Sequence, residues 1–428
     1  MPETTQKNRF NLRISERKIS PTLRVNEMAR SMQAEGKKVF HLGFGESQIP
    51  VPDWLVETLK KHAHEVSYLP VQGLPGLREA VARDYTQSTG IKVSAEQIII
   101  TPGSKAALYL AINLIEGDVL LPRPSWVSYA PQAMYSGKKV FWFNTADDLQ
   151  HIITEAKQQG GNPILLVLNS PNNPSGHSFI ESELKAFAKT ARDNNLVVLS
   201  DEIYGKLCTQ QPYASIASHY PEGSIITTGL SKDAGLGGWR LGWAIVPAGE
   251  AGADMLSVFK GFASELWSSP ASPIQYAAID ILQHPELKQF TADSAQFHAA
   301  RTEVLYNELS KLNLSMPKPS GGYYVYPSFN AYRNQLEKIG ITTSEQLQDY
   351  LLEKYQIATL AGSAFGDTPE NLCLRLSSTF MDCLPEENAQ QLWQAFLNTN
   401  NRDGFVAAQT HPELFTVIKR FGEFTKSL

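Results

Sequence analysis

The chain has 428 residues, which exceeds the ~250–300 residues at which a single hydrophobic core usually stops growing. Its composition, 42% hydrophobic and 19% charged, is typical of a soluble globular protein. The net charge of −5 argues against the basic surface that binds nucleic acids or acidic membranes. We therefore expect one large and one smaller domain that act on small molecules, with neither nucleic acid nor membrane as a partner.

The three cysteines, Cys208, Cys373 and Cys383, show no CxxC spacing. Such a sparse and odd set predicts reduced thiols and argues against a disulfide framework, a redox pair or a metal site. The first 18 residues are polar and of mixed charge, and no stretch approaches the ~20 apolar residues that cross a bilayer. These features predict a cytoplasmic protein that contains no metal.

Short apolar runs bounded by turn residues recur through the middle of the chain, a pattern typical of buried parallel strands. These runs are QIIITPG at 97–103, DVLLPRP at 118–124, PILLVLNSP at 163–171, NLVVLSDE at 195–202 and SIITTGLS at 224–231. Segments with helical periodicity lie between several of them, at 104–116 and 180–195. The alternation predicts a doubly wound α/β domain over residues 60–285.

The pattern then changes to a long helical stretch from about 276 to 312, followed by a predicted strand in KPSGGYYVYPSF. We predict a smaller α+β domain at 286–399, to which the N-terminal segment 1–59 contributes. Residues 400–428 are predicted to form a helical C-terminal appendage.

Reactive side chains follow the predicted strands at their carboxyl ends, the edge where open α/β sheets bind ligands. Lys232 follows SIITTGLS and precedes the glycine-rich run DAGLGGWRLGW. Most lysines are solvated surface charges, but an amine at this position can form a Schiff base and then move protons. Asp201 ends NLVVLS, where it either caps a turn or pairs with a protonated ring nitrogen.

Two other side chains would reach the same ligand. Tyr204 lies three residues after Asp201, and Asn173 lies in the loop NSPNNPSG after a buried run. The first is equally well explained as a buried aromatic residue with a bonded hydroxyl, and the second as a turn residue. Alternatively, the hydroxyl and the amide hold the phenolate oxygen of a ring-shaped ligand.

An anion site is predicted in TPGSKAAL, where Gly103 and Ser104 occupy a strand-to-helix junction whose backbone N–H groups favour phosphate. Arg240 in GGWRLGW either clamps that phosphate or stacks on its tryptophan neighbours. Trp126 in PRPSWVSY either stacks on the ring or packs in the core. Arg375 in NLCLRLSS needs a partner anion, which is either an internal carboxylate or that of a substrate.

Taken together, these motifs resemble the fold-type I pyridoxal-phosphate enzymes, specifically the class I/II aminotransferases of the aspartate and aromatic aminotransferase-like branch. The resemblance runs from about Gly43 to about Phe380. Its motifs are LGFGES at 42–47, YLPVQGLPGLREAV at 68–81, TPGSKAAL at 101–108, NSPNNPSG at 169–176, SDEIYGKL at 200–207, SKDAGLGGWRLGW at 231–243 and RLSS at 375–378. The family implies an α/β fold, with a large doubly wound and mostly parallel sheet domain beside a smaller α+β domain.

The resemblance also implies roles around the pyridoxal phosphate ring. Lys232 would be the Schiff-base lysine, and Asp201 would pair with the pyridine nitrogen. Tyr204 and Asn173 would hold the phenolate oxygen, and Trp126 would lie over the ring. The catalytic residues would therefore be Lys232, Asp201 and Tyr204.

A second group would bind the phosphate and the neighbouring part of the cofactor: Gly103, Ser104, Lys105, Ser231 and Arg240. Tyr68 resembles the tyrosine that reaches the phosphate of a neighbouring subunit, which implies a homodimer with shared active sites. Many relatives carry a serine where this chain has Gly229, so one phosphate hydroxyl is expected to be missing.

The substrate would lie beside Gly45, Asn173 and Arg375, with its carboxylate on Arg375. Lys105 resembles the cation that receives the distal carboxylate of acidic substrates, although a solvated lysine in the first turn of a helix explains it equally well. The pattern LGxGxPDF of relatives reads LGFGESQIP here, so the loop beside the substrate carries different side chains.

The sequence thus predicts a transaminase of amino acid metabolism, a transferase of nitrogenous groups. It would move an amino group from an L-amino acid to a 2-oxo acid by a ping-pong mechanism, with aspartate or glutamate favoured as donor or acceptor. Two alternatives stay open at this point. One is β- or γ-elimination on the same scaffold, and the other is transamination of aromatic or aliphatic amino acids.

Overall fold

The structure is a computed structural model that describes residues 21–210, 212–402 and 404–428. The predictions for residues 1–20, within the N-terminal segment, lie outside the described residues. The first described elements are helix α1 (Pro21–Ala34), strand β1 (Phe40–His41) and helices α2 (Asp53–His62) and α3 (Pro75–Thr89). Helix α3 begins with proline and ends at Gly90 with φ 76°, because proline suits a first turn and glycine a left-handed cap.

The largest sheet consists of β2 (Ile98–Thr101), β3 (Asp118–Pro122), β4 (Val140–Phe143), β5 (Pro163–Asn169), β6 (Val197–Asp201), β7 (Ser224–Gly229) and β8 (Gly242–Ile245). The seven strands lie in the order β2-β8-β7-β6-β5-β3-β4. Strand β8 is antiparallel to both of its neighbours, and the other pairs are parallel. The prediction of an α/β fold with a mostly parallel sheet is confirmed.

Helices cover both faces of this sheet: α4 (Ser104–Leu114), α5 (Tyr129–Tyr135), α6 (Leu149–Gln158), α7 (Glu181–Asp193) and α8 (Glu250–Leu266). Successive residues of a strand point to opposite faces. Val167 of β5 lies in an apolar cluster with Leu108 of α4, whereas the next residue, Leu168, lies in another cluster with Phe187 of α7. Burial on both faces explains why the strands are continuous apolar runs without alternation.

The long helical stretch predicted at 276–312 is in fact two helices, α9 (Ser272–Leu282) and α10 (Leu287–Ser310). The prediction was wrong about continuity because Pro285 lies between them. Proline lacks the backbone N–H that a continuing helix needs, and it disfavours helical geometry in the residue before it.

The C-terminal part of the chain contributes strands to two smaller sheets, one of two strands and one of three: β9 (Tyr324–Val325), β10 (Ile357–Ala358), β11 (Leu360–Ala361) and β12 (Leu374–Ser377). Strands β11, β12 and β9 pair antiparallel in that order, and β10 pairs with β1 in parallel. The helices here are α11 (Arg333–Lys338), α12 (Ser344–Tyr355) and α13 (Glu386–Asn398). The pairing of β1 with β10, and a hydrogen bond of 2.8 Å from the backbone N–H of Ser377 in β12 to the carbonyl oxygen of Leu42, bring residues near 41–45 to β12.

The last helix, α14 (Pro412–Ser427), packs its apolar side into the largest core cluster. Leu414, Val417 and Phe421 are fully buried, at helical spacing. The carboxylate of Asp382 accepts hydrogen bonds from the backbone N–H groups of Glu413 and Leu414, at 2.7 and 3.0 Å. A carboxylate at a helix N-terminus accepts hydrogen bonds from unpaired backbone N–H groups and interacts favourably with the helix dipole.

We expect Phe421→Ala to lower the free energy of unfolding by about 3–5 kcal/mol, because it removes a fully buried aromatic ring and leaves a cavity. Denaturant unfolding would measure the change. Glu423→Ala, on the exposed side of the same helix, is the matched control and should change stability by no more than about 0.5 kcal/mol. Equal effects of the two substitutions would show that this helix does not stabilise the core.

None of the helices in the described ranges is long and apolar enough to span a bilayer. Within the same residues, no cluster of His, Cys, Asp and Glu side chains is arranged to hold a metal ion.

Candidate active site

A cavity of about 400 Å³ lies where β5 and β6 end and where the chain continues after β7. Ligands in open α/β sheets bind at this edge. The structure brings most of the predicted site residues to its wall: Gly45, Ser104, Lys105, Trp126, Asn173, Asp201, Tyr204, Ser231, Lys232, Arg240 and Arg375. Gly103 precedes Ser104 and lies against Arg240 of this wall, and Tyr68 lies elsewhere on the surface.

Lys232 projects into the cavity from the loop that follows β7. Its Nζ donates a hydrogen bond of 2.8 Å to the carbonyl oxygen of Gly45. The same nitrogen lies 5.8 Å from the ring centroid of Tyr204 and 5.9 Å from that of Tyr323. The carbonyl and the two rings hold the amine inside the cavity, where it can attack the carbonyl carbon of a ligand once it is deprotonated.

Asp201 ends β6 with its carboxylate buried at the base of the cavity, at 4% exposure. The hydroxyl of Tyr129 donates to its Oδ2 at 2.6 Å, and the backbone N–H of Ile203 donates to its Oδ1 at 3.2 Å. Burial raises the pKa of the Asp201 carboxyl to about 6, although these two hydrogen bonds and the charge on Lys232 oppose the rise. A buried carboxylate of this kind favours a cationic partner.

Arg375 lies in β12 at 3% exposure, and its guanidinium donates to neutral oxygens. Nη1 donates to Oδ1 of Asn173 at 3.1 Å, and Nη2 donates to the carbonyl oxygen of Gly43 at 2.6 Å. Its carbon atom Cζ lies 4.7 Å from the ring centroid of Tyr324 and 5.1 Å from that of Phe365. Neither hydrogen bond neutralises the buried positive charge, so the site is suited to an anion that comes with a ligand.

Asn173 is fixed by two contacts and faces the same cavity. Its backbone N–H donates to Oδ1 of Asn169 at 2.7 Å, and its own Oδ1 accepts from Arg375. Because the amide oxygen is used in this way, the amide nitrogen is the group that can donate to a ligand.

Tyr204 is buried beside Lys232, and its hydroxyl lies 2.9 Å from the hydroxyl of Tyr324. Burial raises the pKa of Tyr204 well above its usual value, and the neighbouring tyrosines raise it further. The hydroxyl therefore keeps its proton at neutral pH and can act as a hydrogen-bond donor.

Another part of the cavity wall is formed by the N-terminus of α4 and by Arg240. Gly103 precedes the helix with φ 82°, and a Cβ at this position would lie 2.4 Å from Nη2 of Arg240. Arg240 itself has φ 55°, and its Nη1 donates to the carbonyl oxygen of Gly237 at 2.6 Å. Glycine suits this position because other residues rarely adopt such a positive φ, and the nearby guanidinium shows that the helix N-terminus and the cation face the same space.

Lys105 and Trp126 form a further wall of the cavity, with Nζ of the lysine 4.9 Å from the ring centroid of the tryptophan. Loss of hydration lowers the pKa of Lys105, and the positive charges of Arg240 and Lys232 lower it further. Trp126 packs edge to face against Tyr129, with 5.2 Å between the ring centroids. Several positively charged side chains therefore line the cavity, which suits a ligand with several anionic groups.

Tyr68 is 92% exposed, so it does not contribute to the cavity of its own chain. The role expected for it in a neighbouring subunit stays a prediction. Gly45 and Ser231 both line the cavity, and the substrate and phosphate contacts expected of them stay predictions.

Several known proteins are similar to this chain. Residues 37–396 match the family described as Aminotransferase class I and II. The probable aspartate/prephenate aminotransferase of Aquifex aeolicus is 32% identical over 374 residues, which is 83% of this chain and 91% of that protein. The aspartate aminotransferase of Geobacillus stearothermophilus is 32% identical over 379 residues, covering 85% of this chain and 93% of that protein.

The chain belongs to the class I and II aminotransferases. The prediction of a transaminase is therefore confirmed, and the alternative of β- or γ-elimination is not supported. Enzymes of this family use pyridoxal phosphate. The aminotransferase also shares its fold with the aspartate aminotransferase of Thermus thermophilus solved with maleate, with a TM-score of 0.77 and 26% identity over 90% of this chain and 98% of that one.

Sequence reasoning missed two tyrosines that line this cavity. Tyr129 is hydrogen-bonded to Asp201, and Tyr324 is hydrogen-bonded to Tyr204. These contacts join residues 72 and 120 positions apart, and no spacing pattern indicates them. The repeated aromatic residues in GGYYVYPSF were the only signal that a second tyrosine lies near the ligand.

Gly229 of the aminotransferase occupies the place where many relatives were expected to carry serine. A Cβ at this position would lie 2.6 Å from the carbonyl oxygen of Leu241 and 2.8 Å from Cα of Gly242. Strands β7 and β8 therefore approach too closely for any side chain at residue 229. The glycine is required by the sheet, and a serine hydroxyl could not be accommodated here without displacing β8.

Proposed function

We propose that this aminotransferase holds pyridoxal phosphate on Lys232 and exchanges amino groups between acidic amino acids and 2-oxo acids. The observation that carries the proposal is buried Arg375, whose charge is hydrogen-bonded to neutral oxygens beside the amine of Lys232. A substrate α-carboxylate would supply the missing anion and would place the α-carbon near that amine.

The residues present fit the cofactor at both of its ends. The N-terminus of α4 and the guanidinium of Arg240 face one space, and a side chain at Gly103 would fill it, which suits a phosphate group. At the other end, Asp201 has a raised pKa and no cation within hydrogen-bonding distance in the described chain. A protonated pyridine nitrogen would provide that cation.

When bound, the cofactor supplies an electron-withdrawing ring that accepts the electrons released at the substrate α-carbon. The chain's own residues do the remaining work. Asp201 keeps the ring nitrogen protonated, and Tyr204 and Asn173 donate to the phenolate oxygen. The amine of Lys232 would move the α-proton of the substrate, and Arg375 would hold the substrate carboxylate.

Lys105 supports an acidic substrate, because its amine lies on the wall of the same cavity as Arg375, near the ring of Trp126, and no carboxylate among the described residues pairs with it. A dicarboxylate could then be held at both ends. The relatives in Aquifex and Geobacillus are named as aminotransferases of aspartate, and the Thermus structure was obtained with maleate, itself a dicarboxylate.

We expect Lys105→Gln to raise the KM for aspartate and glutamate by about 10–100-fold, the loss of one charge-assisted hydrogen bond, while the KM for aromatic donors stays unchanged. The measurement is a half-reaction screen in which each amino acid is mixed with the cofactor-loaded enzyme. Lys92→Gln, an exposed lysine outside the cavity, gives the same change of net charge as a control. The proposal fails if wild-type enzyme rejects both acidic donors but accepts aromatic or aliphatic ones.

We further infer a homodimer with shared active sites. Tyr68 and Val66, two residues apart in the chain, are 92% and 88% exposed, and exposed apolar groups that form a contiguous patch mark surfaces for protein–protein contact. The cytoplasmic location and the domain boundaries expected from the sequence stay predictions.

A further inference from the structure

Tyr324 lies in β9 at the centre of the proposed site, and it contacts three of the elements that form it. Its hydroxyl lies 2.9 Å from that of Tyr204. Its ring lies 4.7 Å from Cζ of Arg375. The hydroxyl also lies so close to Gly45 that a Cβ there would be only 2.0 Å away. One side chain therefore joins the proposed ring-binding tyrosine, the proposed carboxylate-binding arginine and the loop that holds Lys232.

The segment that carries Tyr324 is anchored on both sides. Tyr324 pairs with Ser377 of β12, two residues from Arg375 in the same strand. Before it, the backbone N–H groups of Ser320 and Gly322 donate to Gly176 and Leu207 at 2.8 and 3.2 Å. Because the backbone is held on both sides and the side chain is 2% exposed, the hydroxyl has little freedom to move.

We infer that Tyr324 is a positioning residue, which orients Tyr204 through its hydroxyl and Arg375 through its ring. The inference rests on the proposed function of this cavity. The hydroxyl of Tyr204 has a single proton, and donating that proton to the cofactor leaves only its oxygen for Tyr324. Tyr324 must then donate to Tyr204, and a hydroxyl that accepts a hydrogen bond becomes a stronger donor.

The charged and titratable neighbours agree with this direction. Tyr323 packs against Tyr324 with 4.9 Å between ring centroids, and Lys232 lies over the ring of Tyr204. Glu46 lines the same cavity on the side of Tyr323. Burial raises the pKa of Tyr204 and of Tyr323 well above the usual value, so these hydroxyls stay protonated over the range in which the cofactor linkage titrates.

The test is a spectroscopic titration of the linkage between Lys232 and the cofactor in the loaded enzyme. Tyr324→Phe removes only the hydroxyl, so Tyr204 becomes a weaker donor and more negative charge stays on the phenolate oxygen. That charge holds the proton of the linkage more tightly. We expect the pKa of the linkage to rise by about 0.3–1 unit, the range that one neutral hydrogen bond supports. The KM for the amino donor should stay the same, because the phenyl ring still packs on Arg375.

Tyr324→Leu removes the ring as well, so it should give the same rise in linkage pKa and also raise the KM about tenfold through loss of the cation–π contact. Tyr326→Phe is the matched control. Its hydroxyl, two residues away, donates to Asp367 at 2.6 Å. It should leave both quantities unchanged. In a Tyr204→Phe background, Tyr324→Phe should add no further shift, because the coupled partner is gone.

An unchanged or lowered linkage pKa in Tyr324→Phe would overturn the inference, and so would an equal shift in Tyr326→Phe. Both outcomes differ from failure of the proposed function, in which wild-type enzyme would show no linkage band that depends on Lys232.

Discussion

Lys232→Ala should abolish the absorbance band near ~420 nm that a lysine-linked pyridoxal cofactor shows. It should also lower kcat for transamination by at least about ten-thousand-fold, because the same amine anchors the cofactor and moves the α-proton. The structure supports this expectation since Nζ projects into the cavity beside Tyr204. Absorbance spectra and initial rates of the purified variant, loaded with cofactor, would measure both effects.

Lys92→Ala is the appropriate control, because this exposed lysine lies outside the cavity. It should retain the band and the activity of wild-type enzyme. A Lys232→Ala protein that keeps both would contradict the assignment, and the amine that carries the cofactor would have to be sought elsewhere.

Asp201→Asn should lower kcat by about a thousand-fold, equivalent to ~4 kcal/mol, because a neutral amide no longer keeps the ring nitrogen protonated. The same change should not destabilise the cofactor-free protein at pH 8. The raised pKa of about 6 means that the folded chain binds this proton more tightly than the unfolded chain does. Ionisation above that pH therefore lowers stability, and asparagine removes the penalty.

The pH dependence makes this prediction specific to the carboxylate. The stability gained by Asp201→Asn should amount to about 1–3 kcal/mol at pH 8 and should shrink as the pH falls from about 6 towards 4. Thermal unfolding of the cofactor-free proteins across this range would test it. If the variant were less stable than wild type at pH 8, the ionised carboxylate of Asp201 would stabilise the cofactor-free fold, which contradicts the expectation that it lacks a cationic partner there.

Much of the fold could be predicted because buried parallel strands leave a strong local pattern. The runs ending at Asn169 and Asp201 are apolar on both faces, and their polar final residues mark the edge that binds ligands. The break between α9 and α10 was missed, although Pro285 marks it in the sequence. One continuous helix was predicted because the helical periodicity of apolar residues continues on both sides of this proline.

The ordered motifs predicted most of the residues that line the cavity, but they did not predict the hydrogen bonds that join residues far apart in the chain. The hydrogen bond from Tyr129 to Asp201 depends on how α5 packs over the sheet, and no local rule encodes that distance. No local rule encodes the contact of Tyr324 either, because this residue reaches Tyr204 from the three-stranded sheet of β11, β12 and β9. At Gly229, the sequence suggested that the absence of a serine changes how the cofactor is bound. The structure instead shows that two strands approach closely at this residue.

The most direct measurement of the central claim is chemical trapping of the linkage. The loaded enzyme would be reduced with borohydride and digested, and the peptide that carries the pyridoxyl group would be sequenced by mass spectrometry. The structure predicts that the modified residue is Lys232, in the peptide that follows β7. Modification at Lys105, or at a lysine outside the cavity, would contradict it.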